Sequence, residues 1–247
     1  MPAEPALFAA MLAAVLGGFV RGFTGFGGAL IYVPVVSAVA GPQIAAPTFL
    51  IIDYVLTVPM AVRSIRACRW PTVLPAAIAA VVATPFGAWL LATGDPIVLR
   101  WIICVVVILF LGLIVSGWRY QGDPTTAVSA GVGGVSGLFA GIGQISGPPV
   151  IALWMSGSLP LAIIRANMFC FFALLGLSSF AAYFWKDLYS VDALFYLALL
   201  GPLYGAALFL GGWTFARTAG ANYRPLTYVL VAFAALSSMP VFDAFLR

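Results

Sequence analysis

The chain has 247 residues, 64% of them hydrophobic and 7% charged, with a mean hydropathy of +1.13 and a net charge of +4. That much apolar surface exceeds what one soluble core can bury, and 11 basic against 7 acidic residues is too even a balance to point to nucleic acid. Without histidine, and with Lys186 as the single lysine, the chain cannot build a histidine triad, His-ligated zinc or a lysine-bearing P-loop, and it has no G-x-S-x-G elbow.

Enzyme chemistry is therefore not expected, and neither is a metal or a cofactor. Gly141-x-Gly143 is followed by Ser146 where a dinucleotide fingerprint needs its third glycine. Cys68, Cys104 and Cys170 are dispersed among apolar neighbours and read as small hydrophobes. Met1 to Glu4 lacks the basic start of a cleaved signal, so the first apolar run is expected to be retained.

Proline, glycine and charge divide the rest into apolar stretches at 5 to 40, 43 to 62, 72 to 93, 97 to 117, 125 to 156, 160 to 185, 191 to 213 and 225 to 245. A membrane-spanning helix needs about 20 residues. The first and fifth stretches are too long for one crossing, and both contain a glycine cluster. Six glycines lie between Gly17 and Gly28 and seven between Gly131 and Gly147, half of the 26 in the chain. Each mid-helix glycine costs ~1 kcal/mol relative to alanine, so both stretches are predicted to break there. Gly18 with Gly22, Gly133 with Gly137 and Gly201 with Gly205 are spaced for close helix packing. Trp70, Trp118, Trp185 and Tyr189 near span ends read as interfacial anchors.

An offset of 116 sets Gly17-Gly18 on Gly133-Gly134, Gly25 on Gly141 and Gly27 on Gly143, and the order of one long broken stretch followed by three ordinary spans repeats with it. If each long stretch returns to the side it left, the loops with Arg63, Arg66, Arg69, Arg119, Arg217 and Arg224 share one face, taken as the cytoplasm. Asp95 with Arg100 and Lys186 with Asp187 then share the other. Each half makes an odd number of net crossings on that reading, so the second is inverted relative to the first. The expected fold is an all-α polytopic membrane protein of two inverted-topology repeats. Residues 1–118 form the first and 125–247 the second, joined by a cytoplasmic connector at 119–124. Each repeat has a glycine-rich broken or re-entrant helical segment followed by three spanning helices.

Backbone left unpaired inside a bilayer costs several kcal/mol per group unless protein or a wet cavity covers it. Each break opens a new helix, whose first N–H groups and dipole favour an anion. The two helix starts are expected to point toward each other near the midplane. Gly25, Gly27, Gly28, Gly143 and Gly147 would bring the backbone close to the ligand, with Pro148 and Pro149 suited to a first helical turn. Thr24, Gln144 and Ser146 would donate further hydrogen bonds, and Arg21 would balance charge. Arg165, with Asn167 as a neutral donor beside it, is either a second cation of the site or a side chain reaching the interface. Asp53, alone in an apolar span, is either a fixed partner of Arg21 or a proton-coupling group.

These glycine-rich breaks, Gly17-Gly18 through Gly25-Phe26-Gly27-Gly28 to Pro34 and Gly133-Gly134 through Gly141-Ile142-Gly143 to Pro148-Pro149, resemble those of the sulfite exporter TauE/SafE family across nearly the whole chain. The resemblance implies a multi-pass protein of the bacterial inner membrane that exports sulfite, sulfonates or related sulfur-containing anions. Gln144 stands where the first motif has Gly28, a departure that bears on the substrate. The expected mechanism is alternating access around a central anion site, and the alternative is a channel-like path for small anions. The expected partners are a small anion, the lipid bilayer and, as an option, further copies of the chain.

Overall fold

A computed structural model describes residues 4–117, 120, 124–155, 160–218 and 224–242. Among them the chain is helical throughout: α1 Glu4–Thr24, α2 Gly28–Ala40, α3 Pro42–Ser64, α4 Trp70–Thr93, α5 Pro96–Val115, α6 Thr126–Gly143, α7 Gly147–Trp154, α8 Leu161–Trp185, α9 Val191–Thr218 and α10 Arg224–Ser237, then a 3₁₀ turn at Pro240–Phe242. Trp118, Arg119 and most of the expected connector lie outside the described residues, as does the side chain of Arg224.

Seven helices, α1, α3, α4, α5, α6, α8 and α9, are long and apolar enough to cross a membrane. Both long stretches break inside their glycine windows, but into unequal legs. The first legs have 21 and 18 residues, and the second have 13 and 8. At ~1.5 Å per residue only the first legs approach the ~30 Å hydrocarbon core. The last expected span, 225 to 245, is also interrupted. Its α-helix stops at Ser237, because Pro240 cannot continue the ladder and the Ser238 hydroxyl turns back to the Ala234 carbonyl at 2.6 Å.

The chain divides into two compact units that draw on both halves of the sequence. The first holds residues 1–52, 94–111 and 188–247, and the second holds 53–93 and 112–187. In the first, α1 packs along α9. A side chain on Gly18, Gly22 or Gly211 would run into the facing backbone at Tyr204, Leu208 or Phe19. In the second, α6 packs along α4, with Gly133, Gly137 and Gly141 against the backbones of Ala76, Ala80 and Thr84. Lipid tails are as apolar as leucine, so contact this close is gained through van der Waals packing between stripes of small residues. In each unit, therefore, a broken helix from one half of the sequence packs on a helix from the other half. Gly201, by contrast, has only an ordinary neighbour, Ile52 Cγ1, which a β-carbon would meet at 3.7 Å.

Aromatic rings fill the first unit behind the break. Tyr32, Phe49 and Tyr204 meet with centroids 5.4, 6.2 and 5.8 Å apart, and the Tyr32 hydroxyl donates to Thr48 Oγ1 at 3.1 Å. Arg100, counted with a loop in the orientation argument, is in fact buried in α5. Its Nη2 donates to the Ser238 carbonyl at 3.0 Å, just past the end of α10, where a cation complements the helix dipole.

Candidate functional site

The first break lies in the first unit. α1 ends when Gly25 adopts φ 81°, and its N–H closes a last helical bond to the Arg21 carbonyl at 2.9 Å. Arg21, in the last turn of α1 and 8% exposed, sends Nη1 back to the Gly25 carbonyl. Thr24 Oγ1 lies 2.8 Å from the Val20 carbonyl and 2.6 Å from that of Phe26, and it accepts from the Phe26 N–H at 3.2 Å. Gly27, at φ 89°, starts α2. Only glycine is at ease at φ values near +80°, which is why both positions carry it.

The glycines of this break do different work. Gly28 is a packing residue, since a β-carbon there would come within 3.0 Å of Arg21 Cβ, 3.1 Å of the Gly17 carbonyl and closer still to the Tyr204 hydroxyl. Gly25 faces open space, with no atom within 4 Å of where its β-carbon would be. A ligand has room to approach the backbone at that position. Beside it, the first-turn N–H groups of α2 have no preceding turn to bond.

The second break lies in the second unit and repeats the device with different side chains. α6 ends when Gln144 adopts φ 57°, and its N–H returns to the Ala140 carbonyl at 2.9 Å. The Gln144 side chain turns back as well, with Nε2 2.9 Å from the same carbonyl and 3.1 Å from the Tyr183 hydroxyl. That hydroxyl lies 3.1 and 2.9 Å from the carbonyls of Ala140 and Gly141. Gly143 is the buried last residue of α6. Ser146, 6% exposed, opens α7 without a side-chain cap bond. Because Pro148 and Pro149 have no N–H, the donors at this helix start reduce to Ser146 and Gly147. A β-carbon on Gly147 would meet only ordinary contacts, 3.7 Å to Ile151 and 3.8 Å to Phe172.

The remaining residues of the sequence-derived set lie on α3 and α8. Arg165 is exposed near the start of α8. Asn167 is fully buried and already bonded, for its Oδ1 accepts the Arg69 N–H at 2.8 Å and its Nδ2 donates to Thr72 Oγ1 at 3.3 Å. Asp53 is half-buried in α3, its carbonyl accepting the Thr57 hydroxyl at 2.7 Å. Arg21 belongs to the first unit and Asp53 to the second. Sequence reasoning missed Tyr183 and Tyr204, which brace the two breaks. The available signal was a tyrosine on a helix face otherwise apolar, where burial demands a hydrogen-bond partner.

The profile of the sulfite exporter TauE/SafE family matches residues 10–238, nearly the whole chain, and so includes both breaks. The chain belongs to that family. No curated protein and no solved structure matches it. Membership makes this a multi-pass membrane protein of a transporter family named for sulfite export, consistent with its seven helices of spanning character. The matched residues include the two left-handed helix ends at Gly25 and Gln144 and the starts of α2 and α7.

Proposed function

We propose that this TauE/SafE protein exports a small sulfur-containing oxyanion, sulfite or an organosulfonate, across the bacterial inner membrane by alternating access. The observation that carries the reading is the pair of breaks, each a left-handed helix end followed by a new helix start. Helix starts offer unpaired N–H donors and positive partial charge, and broken helices are where secondary transporters hold their ions.

The proposed contacts are narrower than the sequence set. At the first break, the open backbone at Gly25, the N–H groups at Gly27 and Gly28, and the Arg21 guanidinium receive the oxyanion, while Thr24 braces the turn. The second break repeats the device within its own unit, where the Ser146 hydroxyl and the Gly147 N–H are the proposed anion donors, while Gln144 and Tyr183 bond the Ala140 and Gly141 carbonyls at the end of α6. Arg165 and Asn167 fall outside this set, one exposed and the other fully engaged. Asp53 is the proposed proton carrier, as a carboxyl in the middle of a spanning helix rather than in its first turn.

The test is counterflow of labelled sulfite into proteoliposomes preloaded with unlabelled sulfite. A carrier gives saturable, trans-stimulated uptake, and Arg21→Gln lowers it tenfold or more. Unsaturable flux with ionic current and no counterflow would replace the carrier with a channel. Uptake by Arg21→Gln at the unmutated rate would remove Arg21 from the site.

A further inference from the structure

The turn between α3 and α4 carries a second arrangement suited to an anion, at the membrane boundary and independent of transport. With the last residues of α3 it reads Met60-Ala61-Val62-Arg63-Ser64-Ile65-Arg66-Ala67-Cys68-Arg69-Trp70, with arginine at every third position from Arg63 to Arg69. Arg63, Arg66 and Arg69 are all exposed, and Arg165 adds a fourth exposed guanidinium two residues before Asn167, which bonds this turn. None of the four has an ion pair among the described residues.

The turn is fixed rather than loose. The Asn167 carboxamide ties its end to α8 through the Arg69 N–H and the Thr72 hydroxyl. Ala67 N–H closes on the Ser64 carbonyl at 3.0 Å, Thr72 N–H on the Arg69 carbonyl at 3.0 Å, and Cys68 is buried beneath. Cationic groups on an ordered backbone lose less freedom when they take a ligand.

Just before Arg63, and between Arg63 and Arg66, stand apolar side chains that the protein does not cover: Met60 at 41% and Val62 at 61% exposure before it, and Ile65 at 47% between the two. A preference for positive charge at one membrane face accounts for the arginines, but not for the exposed apolar side chains on either side of Arg63. Free phosphate or an acidic soluble partner would leave Ile65, past the end of α3, in water. A lipid offers a phosphodiester for the guanidinium groups and acyl chain for the apolar ones. Arginine rather than lysine suits two-point recognition of phosphate oxygens, and ten of the eleven basic residues in the chain are arginine.

We infer that Arg63, Arg66 and Arg69, with Val62 and Ile65 flanking Arg63, form a binding site for the headgroup of an anionic phospholipid. Each arginine removed lowers lipid affinity about fivefold.

The experiment is thermal unfolding of the purified full-length protein in neutral detergent, followed by tryptophan fluorescence, with phosphatidylglycerol, phosphatidylcholine or inorganic phosphate added. Phosphatidylglycerol is expected to raise Tm where the other two do not. That rise is lost in R63Q/R66Q/R69Q and kept in Arg217→Gln, a basic position on another helix. Equal stabilisation by the two lipids, or a phosphatidylglycerol effect that survives the triple substitution, overturns the proposal, and a rise reproduced by inorganic phosphate replaces it with a free-anion site. Should the triple variant not fold, Arg66→Gln alone, on the exposed turn, must shift the phosphatidylglycerol midpoint about fivefold for the proposal to stand.

Discussion

Gly25 and Gln144, 119 positions apart, close their helices in the same way, each in left-handed backbone with its N–H bonded to the carbonyl four residues back. At that spacing Gly18 falls on Gly137 and Gly22 on Gly141, the glycines that seat α1 on α9 and α6 on α4. The 116-residue spacing that best aligns the glycine letters pairs Gly25 with Gly141 instead, setting a helix end against a packing position. Letters and backbone disagree because Gln144 takes a left-handed conformation without being glycine, and its side-chain bonds to Ala140 and Tyr183 offset the strain.

The first prediction separates those two solutions. Gly25→Ala has room for its methyl group but not a comfortable φ, so it is expected to lose about 1–2 kcal/mol, and Gly25→Asn distinctly less. Gln144→Gly removes the backbone strain together with the amide bonds, whereas Gln144→Ala keeps the strain and loses the bonds. Thermal unfolding in detergent should rank Gln144→Ala as the less stable of the two, and the opposite order would remove the backbone strain at position 144 from the account.

Adjacent glycines give a sharper comparison. Gly137 lies against the backbone of Ala80, and Gly134, three residues earlier on the same helix, faces open space. Gly137→Ala must push α4 and α6 apart and should cost about 1–3 kcal/mol. Gly134→Ala is expected to be neutral or to stabilise by up to about 1 kcal/mol through helix propensity. Equal melting temperatures for the two variants would mean that α4 and α6 do not pack as described.

The two breaks were readable from composition because half of the glycines cluster there, whereas single prolines such as Pro34, Pro75, Pro85 and Pro202 stand inside helices without ending them. The close-packing reading of Gly18 with Gly22 and Gly133 with Gly137 rested on spacing alone, and the structure supplies the partners, Tyr204, Leu208, Ala76 and Ala80. Those partners were not readable, since packing between distant helices leaves no local pattern beyond a small residue every fourth position. Asn167 shows the same limit at the candidate site. Its donor and acceptor groups suit an anion site as well as a turn, and only the position of Arg69 decides which of them it serves. Gly28 could equally have been a ligand contact until Tyr204 was placed against it.

Arg100 provides a test of charge used for architecture. Its guanidinium meets the Ser238 carbonyl beyond the end of α10, so Arg100→Leu keeps an apolar stem in α5 but leaves that helix end without its cation. The expected loss is about 1.5–3 kcal/mol, the range for a hydrogen bond to a charged group. Hydrogen exchange should report faster opening near Ser237 and Ser238 in the variant. Uniform exchange across the chain would show that Arg100 does not hold α10.

Cys68 sits in the turn between α3 and α4, outside the spanning segments, and burial together with the neighbouring Cys170 thiol pushes its pKa up from 9.0 to about 12. The thiolate is the reactive form, so the sign is unambiguous: the folded protein at pH 8 holds Cys68 as the thiol, with less thiolate than an ordinary cysteine. Maleimide labelling of a variant with Cys104 and Cys170 replaced by alanine leaves Cys68 as the only target, although it also removes part of the cause of the shift. Labelling should be slow in mild detergent and rapid after unfolding in dodecyl sulfate, and raising the pH toward 10 should speed the native reaction without bringing it to the unfolded rate. Fast labelling of the folded protein at pH 8 would mean that the turn opens readily, and Asn167→Ala should produce that behaviour by releasing the Arg69 N–H and the Thr72 hydroxyl.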